Sequence, residues 1–177
     1  MRGVAFHGNS VAEVIDFPDI DPGNEQVLIK LRSSGLCGSD FGRYRSNTPN
    51  DYAGQLMRPG HEPCGEIVAL GPNVKDLRIG DRIIQHHYEG CRECNYCLTG
   101  WQQLCKVPDK KLYYGGSMHG GHGDYMVAHQ STCVMLPDDV EYEVGAYLAC
   151  GASTAFQALK KLEVSRLDVL AVFGQGP

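Results

Sequence analysis

Apolar residues along this chain come in short runs broken by turn-forming residues. The runs occupy residues 4–6, 11–17, 26–31, 65–70, 81–85, 125–128 and 133–136. Pro22-Gly23, Gly71-Pro72-Asn73, Gly115-Gly116 and Gly120-Gly121 punctuate them. Short strands with this punctuation predict a compact barrel or sandwich. The period changes near Glu141. Ala146, Ala149, Ala155, Phe156, Leu159 and Leu162 recur at helical spacing, with a break expected near Gly151. Lys160 and Lys161 end that segment, where cations suit the negative pole of the helix dipole. Residues 168–173, DVLAVF, then read as one buried strand that runs into Gly174-Gln175-Gly176. A strand followed by G-x-G is how a dinucleotide-binding turn begins. The predicted class is mainly β with some α.

Composition narrows the partners. The 177 residues are 42% hydrophobic, enough for a packed core, and carry a net charge of −5. No basic run is present, which argues against nucleic acid. No apolar stretch approaches the ~18 residues of a membrane span. Residues 1–10 lack the apolar segment of a secretory signal. Eight cysteines without such a signal predict metal binding in a reducing, cytoplasmic setting rather than a disulfide-stapled secreted domain.

Half of those cysteines fall within fifteen residues. Cys91, Cys94, Cys97 and Cys105 form a C-x2-C-x2-C-x7-C run. Four thiolates this close can enclose one tetrahedral Zn²⁺ and leave no position for a substrate, so the expected role is structural. Ligand type alone also admits an iron–sulfur cluster. A nucleic-acid-binding zinc ribbon usually pairs two C-x2-C knuckles across a longer gap. A metal-free loop would leave four close thiols prone to oxidation.

A second constellation is dispersed over GLCGSD (35–40), PGHEPCGE (59–66) and LACGAST (148–154). Cys37, His61 and Cys150 would provide two sulfurs and one imidazole, the three protein ligands that a catalytic zinc with one open position requires. The order and separation of CGSD, GHE with its following GE, the four-cysteine lobe, Cys150 before the last helix and the final V-F-G-x-G-P resemble the zinc-dependent medium-chain alcohol dehydrogenases. The likeness to their GroES-like catalytic domain extends over essentially the whole chain.

The resemblance implies specific roles. Cys37, His61 and Cys150 would ligate the catalytic zinc, with Glu62 beside it as an intermittent ligand or in place of a water. Asp40 would hydrogen-bond the ligand imidazole. Ser39 would take the substrate proton, and Thr154, Gly174 and Gly176 would lie at the cofactor. Many members carry a histidine where this chain has Gly42, so the proton relay must end elsewhere. Cys64 and Cys133 are expected as small buried apolar residues. His86, His87, His119, His122 and His129 are expected on loops or the surface, and residues 115–123 as a flexible loop.

The implied architecture is a partly open GroES-like β-barrel with a zinc lobe over residues 1–152. The helix and first strand of a Rossmann domain would follow at 153–177. The implied activity is oxidation of an alcohol to an aldehyde or ketone with NAD or NADP and two zinc ions per chain, one catalytic and one structural. The substrate would be a small alcohol or carbonyl compound, and the complete enzyme a homodimer or homotetramer. A chain ending within the nucleotide-binding turn would by itself be inactive. The competing readings are a polyol or sugar dehydrogenase of the same family and a non-catalytic, zinc-stabilised binding module.

Overall fold

A computed structural model describes residues 1–174. Each predicted strand up to residue 136 is present. β1 (Arg2–Gly8) and β2 (Val11–Asp16) form an antiparallel hairpin. The central sheet is built from β3 (Gln26–Gly35), β6 (Glu62–Leu70), β7 (Arg82–Gln85), β10 (Tyr125–His129) and β11 (Cys133–Met135). Its order is β10-β3-β6-β7-β11, antiparallel throughout. Val27, Ile29, Ile67, Ile83, Met126 and Ala128 point inward from these strands around the buried ring of Tyr114. The fold is mainly β with some helix, as expected.

The pattern of apolar runs did not indicate several shorter elements. They are α1 (Gly38–Arg45), the hairpin β4 (Asp51–Tyr52)/β5 (Gln55–Leu56), the hairpin β8 (Tyr88–Glu89)/β9 (Leu112–Tyr113) and α2 (Asn95–Leu98). None of these buries a periodic apolar face of its own, so hydrophobic spacing carries no trace of them.

β6 is the spine of the molecule. Bulges in its pairing with β3 shift the register, and beyond the second one Gly35 stands opposite Glu62. Pro63 pairs only toward β3, because β7 joins β6 from Cys64 onward; a proline is tolerated where the second ladder has not begun. The ends of both strands thus present Cys37, His61 and Glu62 at one rim of the sheet.

The C-terminal helical segment reaches that rim through a close approach. α3 (Tyr142–Tyr147) packs on β3 and β6, with Gly145 and Ala146 buried. Arg82 secures the preceding turn by donating to the carbonyls of Pro137, Asp138 and Val140, and its guanidinium stacks over Tyr142. A Cβ on Gly145 would stand 2.5 Å from the Cys64 sulfur. The expected break near Gly151 is a π turn, Leu148–Ala152, and the helix continues as α4 (Ser153–Leu162) with Lys160 and Lys161 in its last turn.

Three expectations are corrected. Residues 168–173 form no strand, and Val169 and Phe173 are almost fully exposed. A strand exists through its ladder, and no strand of the described residues pairs with this run. The glycine-rich stretch 115–123 is not a flexible loop. Gly120, Gly121 and His122 donate to the carbonyls of Arg58, Gly60 and Pro59 at 2.8–3.0 Å, so it clamps the segment that carries His61. His86, His87, His119 and His122 lie on loops as expected, half-buried there, whereas His129 ends β10 and is buried. Gly176 lies outside the described residues. No helix of the described residues is long and apolar enough to cross a membrane.

The contact between Gly145 and Cys64 predicts that Gly145→Ala destabilises the protein by about 1–3 kcal/mol through overpacking. Adding Cys64→Ala should recover part of that loss. Urea unfolding of the two variants checks both signs.

Candidate metal centres and active site

The four-cysteine run lies between β8 and β9. Cys94 sits at the N-cap of α2 and Cys97 within it. The sulfurs of Cys91, Cys94, Cys97 and Cys105 all lie within 4.8 Å of one another. The Cys91–Cys97 and Cys94–Cys97 sulfur separations are 3.8 and 3.5 Å. A tetrahedron with the ~2.3 Å Zn–S bond has an edge of about 3.8 Å, so the donor set fits zinc. Backbone amides point at two of the sulfurs, and the four thiols differ: burial pushes Cys97 up to about 12, whereas Cys94 and Cys105 are lowered. Cys94 N–H points to the Cys91 sulfur at 3.2 Å, and Cys91 N–H to Cys105 at 3.5 Å. The Cys97 amide, ahead of the neighbouring thiols, lowers the Cys94 pKa to about 6.

The dispersed set also converges. Donor atoms of Cys37, His61, Glu62 and Cys150 lie within 4.8 Å of one another, although they come from three separate segments. Cys37 is the N-cap of α1, and the Asp40 carboxylate reaches back to accept its backbone N–H at 2.9 Å. His61 enters from the residue before β6. Cys150 lies in the π turn, where Ser153 Oγ–H donates to its carbonyl at 3.0 Å. Widened turns of this kind are frequent at functional sites.

Asp40 organises the centre. It is 1% exposed, and its Oδ1 lies 3.3 Å from His61 Nδ1. The proton on Nδ1 therefore faces the carboxylate, leaving Nε2 for the sulfur side. Burial opposes charge on His61, but Asp40 and the sulfurs of Cys150 and Cys37 outweigh it and raise the pKa to about 10. Burial likewise opposes the Cys37 thiolate, yet the backbone N–H and hydroxyl of Ser39, together with His61, hold it below its ordinary value. Asp40 is also lowered despite its burial, by His61 and the Cys37 amide. Two sulfurs, one imidazole and one carboxylate are the donor chemistry of a zinc site, and metal binding there must displace a proton.

Residues that the sequence reading left without a role surround this set. The His87 ring lies edge-on to His61 with centroids 5.1 Å apart, and Tyr113 is 5.8 Å from His61. Arg43, one turn beyond Ser39, lies over the Tyr113 ring at 5.2 Å. Burial, then the His61 charge, lowers the His87 pKa to about 3, so this neighbour stays neutral. The only sequence signal for it was the His86-His87 pair just before the cysteine run.

Two clefts flank the centre. One of about 180 Å³ is bordered by Gly35, Cys37, Glu62, Tyr147 and Gly151. Another of about 720 Å³ runs between the cysteine lobe and α4, lined by His86, His87, Tyr88, Trp101, Thr154 and Gln157. Ser39 and Thr154 are exposed, and Gly42 faces open space. Gly174 has φ +86° and is exposed, at the end of the described chain.

Residues 23–138 match the family described as the alcohol dehydrogenase GroES-like domain. The chain is 38% identical over 183 residues to an uncharacterized zinc-type alcohol dehydrogenase-like protein of Escherichia coli strain K12, covering 100% of this chain and 52% of that protein. It is 33% identical over 175 residues to a sorbitol dehydrogenase of Halalkalibacterium halodurans, covering 97% and 48%. The structure of acetophenone reductase from Geotrichum candidum in complex with NAD matches with a TM-score of 0.82 at 28% identity, covering 94% of this chain and 48% of that one. The chain spans about half the length of the curated relatives it matches.

In the metal-free protein, the His61 imidazole should stay protonated through neutral pH and titrate near 10, while His87 stays neutral down to about 3. The His61 value is raised above the free one. The pair therefore supports the metal-free fold fully below about 6.5, and that support fades as the pH rises toward 10. Asp40→Asn should bring the His61 titration down, because the carboxylate is the largest of the influences that raise it. Imidazole NMR titration reads all three outcomes.

Proposed function

This chain belongs to the alcohol dehydrogenase GroES-like domain family, and from that premise we propose that it carries the metal centre of a zinc-dependent oxidoreductase. The reaction is oxidation of an alcohol to an aldehyde or ketone, with NAD or NADP as acceptor. One observation carries this reading: Cys37, His61, Glu62 and Cys150 meet within 4.8 Å beside an open cleft, although they are up to 113 positions apart (150 − 37). Cys37, His61 and Cys150 hold the catalytic zinc, and Glu62 is its intermittent fourth donor. The four lobe cysteines hold the structural zinc. When bound, zinc supplies Lewis acidity that makes an alcohol hydroxyl more acidic, and the nicotinamide supplies an acceptor for hydride.

The chain's own residues do the rest. Asp40 keeps the proton on His61 Nδ1 and fixes the ring's orientation. Ser39, whose hydroxyl faces the Cys37 sulfur, accepts the alcohol proton. Ser39 is exposed, and the Gly42 position opens to solvent, so water ends the relay that a histidine ends in many relatives. Thr154 lines the larger cleft and, on this reading, stands beside the nicotinamide. Gly174, with Gly176, would begin the pyrophosphate turn.

A second reading within the family, a polyol dehydrogenase, is favoured by the lining of the larger cleft. His86, His87, Tyr88, Thr154 and Gln157 offer hydrogen bonds that a hydroxylated chain can use. The sorbitol dehydrogenase relative points the same way.

Purified protein should hold two zinc equivalents per chain by plasma emission spectrometry. Cys91→Ser and Cys150→Ser should each reduce this to one. A single equivalent in the unmodified protein would favour the non-catalytic binding module instead. In the intact protein, assayed with NAD or NADP, Ser39→Ala should lower turnover roughly a hundredfold. Unchanged turnover would remove Ser39 from the reaction.

A further inference from the structure

Near the Asp40 oxygen that His61 does not face lies a residue with no assigned role. His122 Nε2 is 4.0 Å from Asp40 Oδ2, and the His122 side chain is 11% exposed. Its Nδ1 lies 2.9 Å from the Ser34 hydroxyl. Nε2 is buried and makes no hydrogen bond to any described residue. A polar nitrogen left in that state costs free energy and calls for an explanation.

The surroundings hold this ring in place. His122 N–H donates to the Pro59 carbonyl at 3.0 Å, and the His122 carbonyl accepts from Val4 N–H at 2.8 Å. Gly60 has φ +95°, and a Cβ there would meet the His122 ring at 2.5 Å. The backbone just before His61 thus makes room for His122, which a side chain at position 60 would deny. Burial lowers the His122 pKa, so the ring is neutral near pH 7.

A neutral imidazole carries one proton, and the carboxylate decides where it sits. With the proton on Nδ1, the Nε2 lone pair would face a buried anion. With the proton on Nε2, the Ser34 hydroxyl donates to Nδ1 and an N–H dipole faces Oδ2. The second arrangement is favoured electrostatically. An ionised carboxylate offers about four acceptor positions. Asp40 has the Cys37 amide on one oxygen and His61 on the other.

We infer that His122 is a positioning residue for the metal centre: its Nε2–H dipole steadies the buried Asp40 carboxylate, and through Asp40 it holds His61 in the tautomer and orientation that a metal requires. Ser34 stands one step further out and fixes the His122 tautomer. The inference rests on the reading of Cys37, His61 and Cys150 as metal ligands.

The test uses the intact protein, zinc and a chromophoric chelator, with the four-cysteine lobe as an internal reference in the same chain. His122→Phe keeps the ring's bulk and removes its donor. It should weaken zinc binding at the dispersed site roughly tenfold and leave the lobe site unchanged, in line with losses seen for partners of metal-binding histidines. His122→Gln, whose amide nitrogen can replace Nε2–H, should recover most of that loss. Wild-type affinity in His122→Phe would overturn the inference, as would equal weakening at both sites or no recovery in His122→Gln. A protein that binds zinc only at the lobe would instead overturn the metal reading on which the inference depends.

Discussion

A carboxylate buried as completely as Asp40 is costly unless donors surround it, and meeting that need brings separate parts of this chain together. One donor is the backbone amide of Cys37, at the start of α1. The other is the ring of His61, at the entrance to β6. Satisfying one anion therefore sets the position of one sulfur donor and the tautomer of the imidazole. Cys150 arrives by a different constraint, the close seating of α3 that Gly145 permits against Cys64. The third segment reaches the centre because a glycine facing a cysteine lets a helix approach a strand.

The two donor clusters depend on the fold to different degrees. The lobe cysteines lie within fifteen residues, and amides of their own loop support them. Their geometry is largely local. The dispersed set needs the register of β3 against β6, the bulges that bring Gly35 opposite Glu62, and the docking of α3. The glycine-rich stretch 115–123 adds a clamp over the His61 segment. Disturbing the sheet should therefore affect the dispersed centre before the lobe, because only the former integrates distant contacts.

Much of this was legible in the chain itself. Seven apolar runs became strands, and the alanine- and leucine-rich segment became helix. Donor atoms within each of the two cysteine-containing constellations lie within 4.8 Å of one another. The misreadings share a cause. Residues 168–173 have strand composition, but a strand needs a neighbour, and composition does not provide one. Glycine content at 115–123 signals backbone freedom, yet here it allows close approach to another backbone, which immobilises the loop. Four of the five histidines do lie on loops, as expected, but polarity alone gave no sign that they would be half-buried there or that His129 would be buried at a strand end. Neighbours supplied by the fold surround them instead: His119 accepts from Arg58 N–H, and His86 and His87 lie among aromatic rings.

The sequence by itself determined the donor chemistry, the strand periodicity and the local closure of the four-cysteine lobe, because each depends on residue type and short spacing. Only the tertiary structure decided that a second histidine, His122, faces Asp40 beside His61, which nitrogen of His61 points to the sulfurs, and that His87 and Tyr113 surround the centre. Those outcomes depend on strand register and on the seating of loops and helices, and neighbours of that kind are remote along the chain. Periodicity reports which face of an element is buried, whereas packing selects what it is buried against.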